Sequence, residues 1–278
     1  MSSDSGTPRS PRRLLHTSDV HLGAYDSGQT EQRDALRAEL EQGFRSIIDK
    51  CHSEDVDALL IAGDFFDNAR VREETLEFAA TEIARAEVPV VLLPGNHDHV
   101  GSSGSVYDRF DFVGAAPNLH LMRAPGGETV SLGDAEIEVW GRSHTEEEPN
   151  FTPFADAPPR GEAAWQIGIG HGHYIHPSAA LQHSFHIYET ELEAMDRDYV
   201  ALGHWERLVR VAAGSMTAAY SGAPESLSGS IGGRVLLVDL QEDGSVQLEA
   251  SSLEGEPSLA HHEIPLLEGV DPATIRRR

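Results

Sequence analysis

The chain has 278 residues, 39% hydrophobic and 24% charged. That balance belongs to a packed soluble protein, and at about 150 residues per domain it leaves room for one or two domains. Acidic residues outnumber basic ones 46 to 21, for a formal charge of −25, which argues against a protein that coats nucleic acid through a general positive field. An enzyme that meets DNA through metal ions and local arginines stays open. No run of about 18 apolar residues exists, so no transmembrane helix is expected. Met1 to Arg13 is rich in Ser, Pro and Arg without an apolar stretch, unlike a signal peptide. The single cysteine, Cys51, excludes an internal disulfide framework and points to a reducing cytoplasm. The basic residues are 20 arginines and one lysine, Lys50, a bias read as genome composition or adaptation to salt. The 15 histidines are more informative, because several stand beside Asp and Gly.

Residues 1–12 are expected to form a disordered tail. Leu14 to Thr17 reads as a strand ending at Ser18-Asp19. From Glu31 to His52, Leu36, Leu40, Phe44 and Ile47-Ile48 recur at helical spacing. Ala58 to Ala62 is a continuous apolar run, the pattern of a strand buried on both faces. Arg72 to Ala86 is a second helix and Pro89 to Leu93 a third strand. This β-α-β-α-β order predicts a parallel sheet with right-handed crossovers. Leu119 to Met122, Glu128 to Leu132 and Glu136 to Trp140 are short strands, and 142–160 is loop. Gln166 to Gly170 and Tyr199 to Gly203 are strands ending in glycine. Val209 to Ala213, Ala218 to Ser221, Val235 to Leu240 and Val246 to Ala250 read as a closing antiparallel run. Residues 254–278 carry little pattern.

Five strands end in polar clusters: Asp19-Val20-His21, Gly63-Asp64-Phe65-Phe66-Asp67, Gly95-Asn96-His97-Asp98, Gly170-His171-Gly172-His173 and Gly203-His204-Trp205-Glu206. Open α/β sheets bind ligands beyond the carboxyl ends of their strands. Five such clusters on one edge would make a cage of carboxylate, imidazole and amide oxygen. That mixture suits manganese, iron or zinc. The absence of cysteine from every cluster argues against a structural zinc site. Each cluster alone reads more readily as a turn; their joint occurrence after apolar strands is what points to metal.

The five clusters together resemble the signature of the calcineurin-like metallophosphoesterases, and within them the SbcD-type DNA repair nucleases. The resemblance runs through His16-Thr17-Ser18-Asp19-Val20-His21-Leu22-Gly23, Ile61 to Asp67, Pro94 to Asp98, Tyr199 to His204 and Tyr220-Ser221-Gly222-Ala223-Pro224-Glu225. It implies an α/β fold, a β-sandwich flanked by helices, with the metal site at the carboxyl ends of the strands. It implies two divalent ions, manganese before iron, zinc or magnesium. By the resemblance, Asp19 and His21 would bind the first ion and Asp64 would bridge. Asn96, His171 and His204 would bind the second, and His97 would face the scissile phosphate without being a ligand. His173 is a rival to His171. Asp98 could orient the site, and Asp67 is expected to tie its loop together. His16 is expected to pack in the sheet.

Two departures stand out. The family usually carries a second histidine two residues after the one matching His204; here that residue is Glu206, either a replacement ligand or a bystander beside a weakened first site. The chain also has about forty residues after Leu240, too few for both a DNA-capping domain and a segment that grips a coiled-coil ATPase. The expected organisation is therefore a catalytic domain over 13–253 and a tail over 254–278 without a cap. The resemblance implies hydrolysis of phosphodiester bonds in DNA, with an ATPase of SbcC type as a possible partner and no membrane role. The alternatives are a phosphoesterase acting on a small nucleotide-like substrate, and a degenerate, non-enzymatic binding module.

Overall fold

The computed structural model describes residues 9–26, 30–101, 104–145, 150–175, 184–214, 216–225 and 233–267. The first half alternates strand and helix: β1 (Arg12–Thr17), α1 (Glu31–Ser53), β2 (Ala58–Ala62), α2 (Glu73–Arg85), β3 (Val90–Leu93), the one-turn α3 (Phe112–Ala115) and β4 (Leu119–Leu121). α1 starts where the Thr30 hydroxyl accepts the Arg33 N–H at 3.3 Å, an N-cap that satisfies one orphan donor. Its buried stripe is Leu40, Phe44, Ile47, Ile48 and Cys51, the spacing of one helix face. The second half holds β5 (Glu128–Leu132), β6 (Ile137–Gly141), β7 (Trp165–His171), β8 (His173–Ile175), β9 (His186–Tyr188), α4 (Glu189–Met195), β10 (Tyr199–Gly203), β11 (Val209–Ala213) and β12 (Met216–Tyr220). Then follow β13 (Arg234–Leu240), β14 (Val246–Ser252), β15 (Leu259–Ala260) and β16 (Leu266–Leu267).

The long strands form two seven-stranded sheets, in the orders β15-β14-β13-β1-β2-β3-β4 and β16-β11-β12-β10-β7-β6-β5. β1 to β4 run parallel, as do β6, β7, β10 and β12. Side chains alternate between faces along each strand, and the cores follow. Leu14, Leu60, Val91 and Leu236 face Val139, Ile167, Tyr199 and Ala219 between the sheets. Leu15, Leu59, Ile61 and Leu92 pack on the other face with Phe44, Ile47, Leu76 and Ile83 of α1 and α2. Val200, Leu202, Val211 and Ala218 pack against Leu192 and Met195 of α4. The layers are helix, sheet, sheet, helix. A buried polar pair also crosses the sandwich, His16 Nδ1 to Tyr199 Oη at 2.8 Å.

Four points differ from the sequence-based expectations. The closing strands are not one antiparallel run: β11 and β12 belong to the second sheet, where β12 pairs parallel with β10, whereas β13 and β14 extend the first. Residues 259–267 supply an edge strand to each sheet, so position 253 is not a structural boundary. Residues 9–12 are packed: Arg9 pairs with Asp198 at 3.0 Å and lies over Trp165, and the Ser10 carbonyl accepts the Trp165 indole N–H at 2.8 Å. α4 has no counterpart among the expected elements; its start is marked by Glu191, whose carboxylate accepts the Tyr188 N–H at 3.2 Å. Among the described residues no helix is long and apolar enough to cross a membrane.

Phe44 is fully buried and meets Phe65 edge-on at 5.0 Å. Phe44→Ala is expected to destabilise the fold by about 3–5 kcal/mol through lost transfer energy and a residual cavity. The check is a lower urea midpoint at unchanged slope.

Candidate metal centre

The carboxyl ends of β1, β2, β3, β7 and β10 meet at one edge of the sandwich. The loops after β1 and β2 are zipped together. Asp19 N–H donates to Gly63 O, His21 N–H to Asp64 O, Leu22 N–H to Phe65 O and Asp67 N–H to Leu22 O, all at 2.9–3.1 Å. This ladder holds Asp19, His21 and Asp64 at φ of 54°, 51° and 50°, a left-handed conformation that non-glycine residues seldom adopt and that functional sites store as strain. His204 lies at φ 99°. Gly63, at φ 90°, permits a close approach between the sheets, because a Cβ there would stand 2.1 Å from His171 Nδ1. Gly95 has the same role beside Asp64, with a built Cβ 2.2 Å from its Oδ1.

Three groups of donors lie within mutual reach: Asp19, His21 and Asp64; Asp64, His171 and His204; and His21, Asp67 and His97. Asp64 belongs to the first two. In the second the contacts are close. His171 Nδ1 faces the Ala62 carbonyl at 2.9 Å, and a carbonyl only accepts, so Nδ1 carries the proton. Nε2 of the neutral ring is then a bare lone pair. Around it stand Asp64 Oδ2 at 3.1 Å, Asn96 Oδ1 at 3.2 Å and His204 Nδ1 at 3.3 Å. A proton on Nε2 can point at only one of its three neighbours, whereas a divalent cation meets all four atoms. With bonds of about 2.0–2.2 Å to nitrogen and oxygen, cis or tetrahedral donors stand about 3.0–3.5 Å apart. The observed spacing fits a first-row divalent ion.

Asp64 is 2% exposed. Burial opposes its charge, but His171 and His21 hold its carboxyl far below the usual range. Its Oδ1 also accepts the His97 backbone N–H at 3.0 Å. In the metal-free protein, burial disfavours a charge on His171, yet Asp64 and Asp19 raise it to about 9. Burial likewise opposes charge on His21, which Asp67, Asp64 and Asp19 raise to about 8; its Nδ1 stands 3.5 Å from Asp67 Oδ1. His204 is pushed down to about 2, first by burial and then by the neighbouring His171 and His173. Burial pushes the Asp19 carboxyl up, and its Oδ2 accepts the His204 backbone N–H at 3.0 Å.

The structure therefore brings together Asp19, His21, Asp64, Asn96, His171 and His204. His97 stands at the margin, exposed, its ring 4.9 Å edge-on from His21 and its Nδ1 2.9 Å from the Asp67 carbonyl. His173 is not in the cluster; it accepts the Trp205 indole N–H at 2.7 Å. Among the described residues, Glu206 is in none of the donor groups. Asp98 does not face the donors. It accepts from Gly95 N, Phe65 N, Phe66 N and Tyr107 Oη at 2.6–3.0 Å and so ties the second loop to the third. Two supports have roles that the sequence does not assign. His144, fully buried, has Nε2 2.9 Å from the His171 carbonyl; a lone histidine after β6 gives no sign of that contact. Tyr220 Oη donates to Gly172 O at 2.7 Å and its ring stacks on Trp205 at 4.6 Å. His176 and His183 lie outside the described residues.

The profile of the calcineurin-like phosphoesterase family matches residues 12–206, and the chain belongs to that family. It is similar to the DNA double-strand break repair protein Mre11 of Aeropyrum pernix, 34% identical over 139 residues, 46% of this chain and 32% of that protein. It is similar to the SbcD component of the nuclease SbcCD of Bacillus subtilis, 25% identical over 254 residues, 80% of this chain and 63% of the other. A probable cyclic nucleotide phosphodiesterase of Fibrobacter succinogenes is 31% identical over 101 residues, 36% of each chain. The chain spans only 32%, 27% and 21% of three Mre11 proteins that it matches. In fold it is similar to a dimetal phosphatase of Danio rerio, with a TM-score of 0.55 at 12% identity over 92% of this chain and 99% of that one.

Two expectations follow. Asp64→Asn removes a charge common to two donor groups and should weaken metal binding at both, measured by calorimetry; an unchanged ion content and affinity would refute the bridging role. The second concerns pH in the metal-free protein. His171 and His21 titrate above the 6.5 of an ordinary imidazole, so the stability they lend is full below about 6.5 and is lost as pH rises towards 9. Burial drives His16 and His144 down to about 3 and His204 to about 2, so their contribution is lost as pH falls below about 6.5. The thermal midpoint of EDTA-treated protein should peak near pH 6.5, and a steady rise to pH 9 would contradict this assignment.

Proposed function

We propose that the chain hydrolyses phosphodiester bonds using divalent ions, manganese foremost, held by Asp19, His21, Asp64, Asn96, His171 and His204, and that DNA is its substrate. The observation that carries the reading is the convergence of Asp64 Oδ2, Asn96 Oδ1 and His204 Nδ1 on His171 Nε2 at 3.1–3.3 Å, in a phosphoesterase-family chain with a second donor group joined to this one through Asp64. DNA is favoured by the likeness to Mre11 and to the SbcD component of SbcCD. The same likeness makes a coiled-coil ATPase of SbcC type the partner to look for, and a reducing cytoplasm the setting consistent with one buried, unbridged Cys51.

Bound divalent ions supply Lewis acidity toward phosphate oxygens and make water a competent nucleophile near neutral pH. The chain's own residues do the rest. Asp64 holds its charge in a buried place and so anchors both donor groups. His97 is fixed at the margin by its backbone N–H on Asp64 and by its Nδ1–H, which donates to the Asp67 carbonyl. Its Nε2 is then the ring atom available to pass a proton to a leaving alkoxide. A second reading is a small nucleotide-like phosphoester as substrate. It is supported by the likeness to a cyclic nucleotide phosphodiesterase and by the charge of −25, which repels a polyanion more than a monoanion. A non-enzymatic module has only the Glu206 departure in its favour.

Labelled single- and double-stranded DNA with Mn²⁺, beside a chromogenic phosphodiester, separates these readings. Cleavage of DNA is expected; cleavage of the chromogenic diester alone would favour the small substrate, and cleavage of neither would favour the binding module. His97→Ala should keep its bound metal and lose turnover on the order of 10²–10⁴-fold, the scale of a lost general acid. Metal lost in proportion to activity would make His97 a ligand instead.

A further inference from the structure

The two donor groups that share Asp64 are unequal. One has four side chains, Asp64, Asn96, His171 and His204, with the other three donor atoms 3.1–3.3 Å from His171 Nε2. The other has three, Asp19, His21 and Asp64. Of those three, Asp64 is shared, and Asp19 Oδ2 already accepts the His204 backbone N–H. Glu206 stands where the resemblance places a further histidine, yet among the described residues its carboxylate joins no donor group. The chain around it is held by other contacts. Trp205 stacks flat on Tyr220, its indole donates to His173, and the Glu206 carbonyl accepts the Ala223 N–H at 3.3 Å.

Charge sharpens the difference. Asp19 and Asp64 are the carboxylates of the two groups, and together they cancel one divalent ion. A second ion a few ångströms away would exceed the charge of these two ligands, with Asp67, 3.5 Å from His21, the neighbouring carboxylate left to offset part of it. An anionic oxygen ligand supplied from outside would remove that excess and fill the open coordination positions. A phosphate group has both properties.

Resting on the phosphoesterase reading above, we infer that the chain holds one divalent ion tightly, at Asp64, Asn96, His171 and His204. The group of Asp19, His21 and Asp64 takes its ion weakly until a phosphate oxygen completes the site. Glu206 sets this inequality by failing to supply the missing donor. Substrate and second ion then bind as a cooperative pair, and at low free metal the protein carries a single ion.

The test is a Mn²⁺ titration of the full chain by calorimetry, with electron paramagnetic resonance to distinguish isolated from spin-coupled ions. The probes are Mn²⁺ alone and Mn²⁺ with saturating inorganic phosphate. Without phosphate, one tight ion per chain is expected, with a second at least about tenfold weaker and an isolated-ion spectrum at one equivalent. Phosphate should strengthen the second ion by about 10–100-fold and produce the coupled spectrum. Asp19→Ala should remove only the weak ion, and Glu206→His should close the affinity gap without phosphate. Two ions of equal affinity without phosphate would overturn the inference and leave the phosphoesterase reading standing. So would a wild-type second ion indifferent to phosphate, a comparison that needs no variant to fold. Failure to bind any ion would remove both.

Discussion

A single buried carboxylate governs the architecture of this site. Asp64 is 2% exposed, and a buried charge persists only when its surroundings compensate it. Here one oxygen takes a backbone N–H from the loop after β3, and the other faces an imidazole from the opposite sheet. The compensation therefore draws on three strands in two sheets. His171 can reach Asp64 only because Gly63 has no side chain, and the chain can enter and leave Asp64 only through a left-handed backbone. Sheet packing, loop shape and donor geometry are consequences of one requirement, that this carboxylate stay ionised away from water.

The site carries backbone strain. Asp19, His21, Asp64 and His204 all have positive φ, and each such residue costs of order 1–3 kcal/mol unless its surroundings over-determine it. The loop-to-loop ladder from Asp19 to Asp67 supplies that constraint, and Asp98, with four donors, clamps the neighbouring loop. The three apolar cores lie beneath and carry the strained site. Asp98 sits next to His97 in sequence but serves the backbone and not the metal donors. Adjacency in the chain is a poor guide to its role.

Much of the first sheet is legible in the sequence, because its order is local. The apolar runs at Ala58 to Ala62 and Val90 to Leu93, with amphipathic helices between, specify neighbours that follow one another. The ligand positions are legible for a related reason: each donor lies at or just past the end of a strand, and a glycine directly precedes Asp64, Asn96, His171 and His204. The second sheet is not legible in the same way. β12 chooses β10 as its parallel partner and β13 chooses β1, pairings across long sequence separations that no window of residues encodes. The sandwich itself comes from family resemblance and not from periodicity. Glu206 shows the limit of that resemblance: the motif marks the position, but among the described residues the side chain joins none of the donor groups. His144 escapes because its role is a hydrogen bond to a backbone atom, which leaves no residue pattern, and Tyr220 is marked only as part of the family stretch, without its role.

The short stretch from Leu259 to Leu267 lies along one border of both sheets, pairing with β14 through β15 and with β11 through β16. An uncovered strand border is a template onto which another chain can add, and short or covered borders are how sheet proteins avoid it. Here one piece of chain shields both borders, so the two are not protected independently. Loosening of that piece would bare the seven residues of β14 and the five of β11 at the same moment. The colloidal behaviour of the protein at high concentration is thus tied to a segment remote from its chemistry.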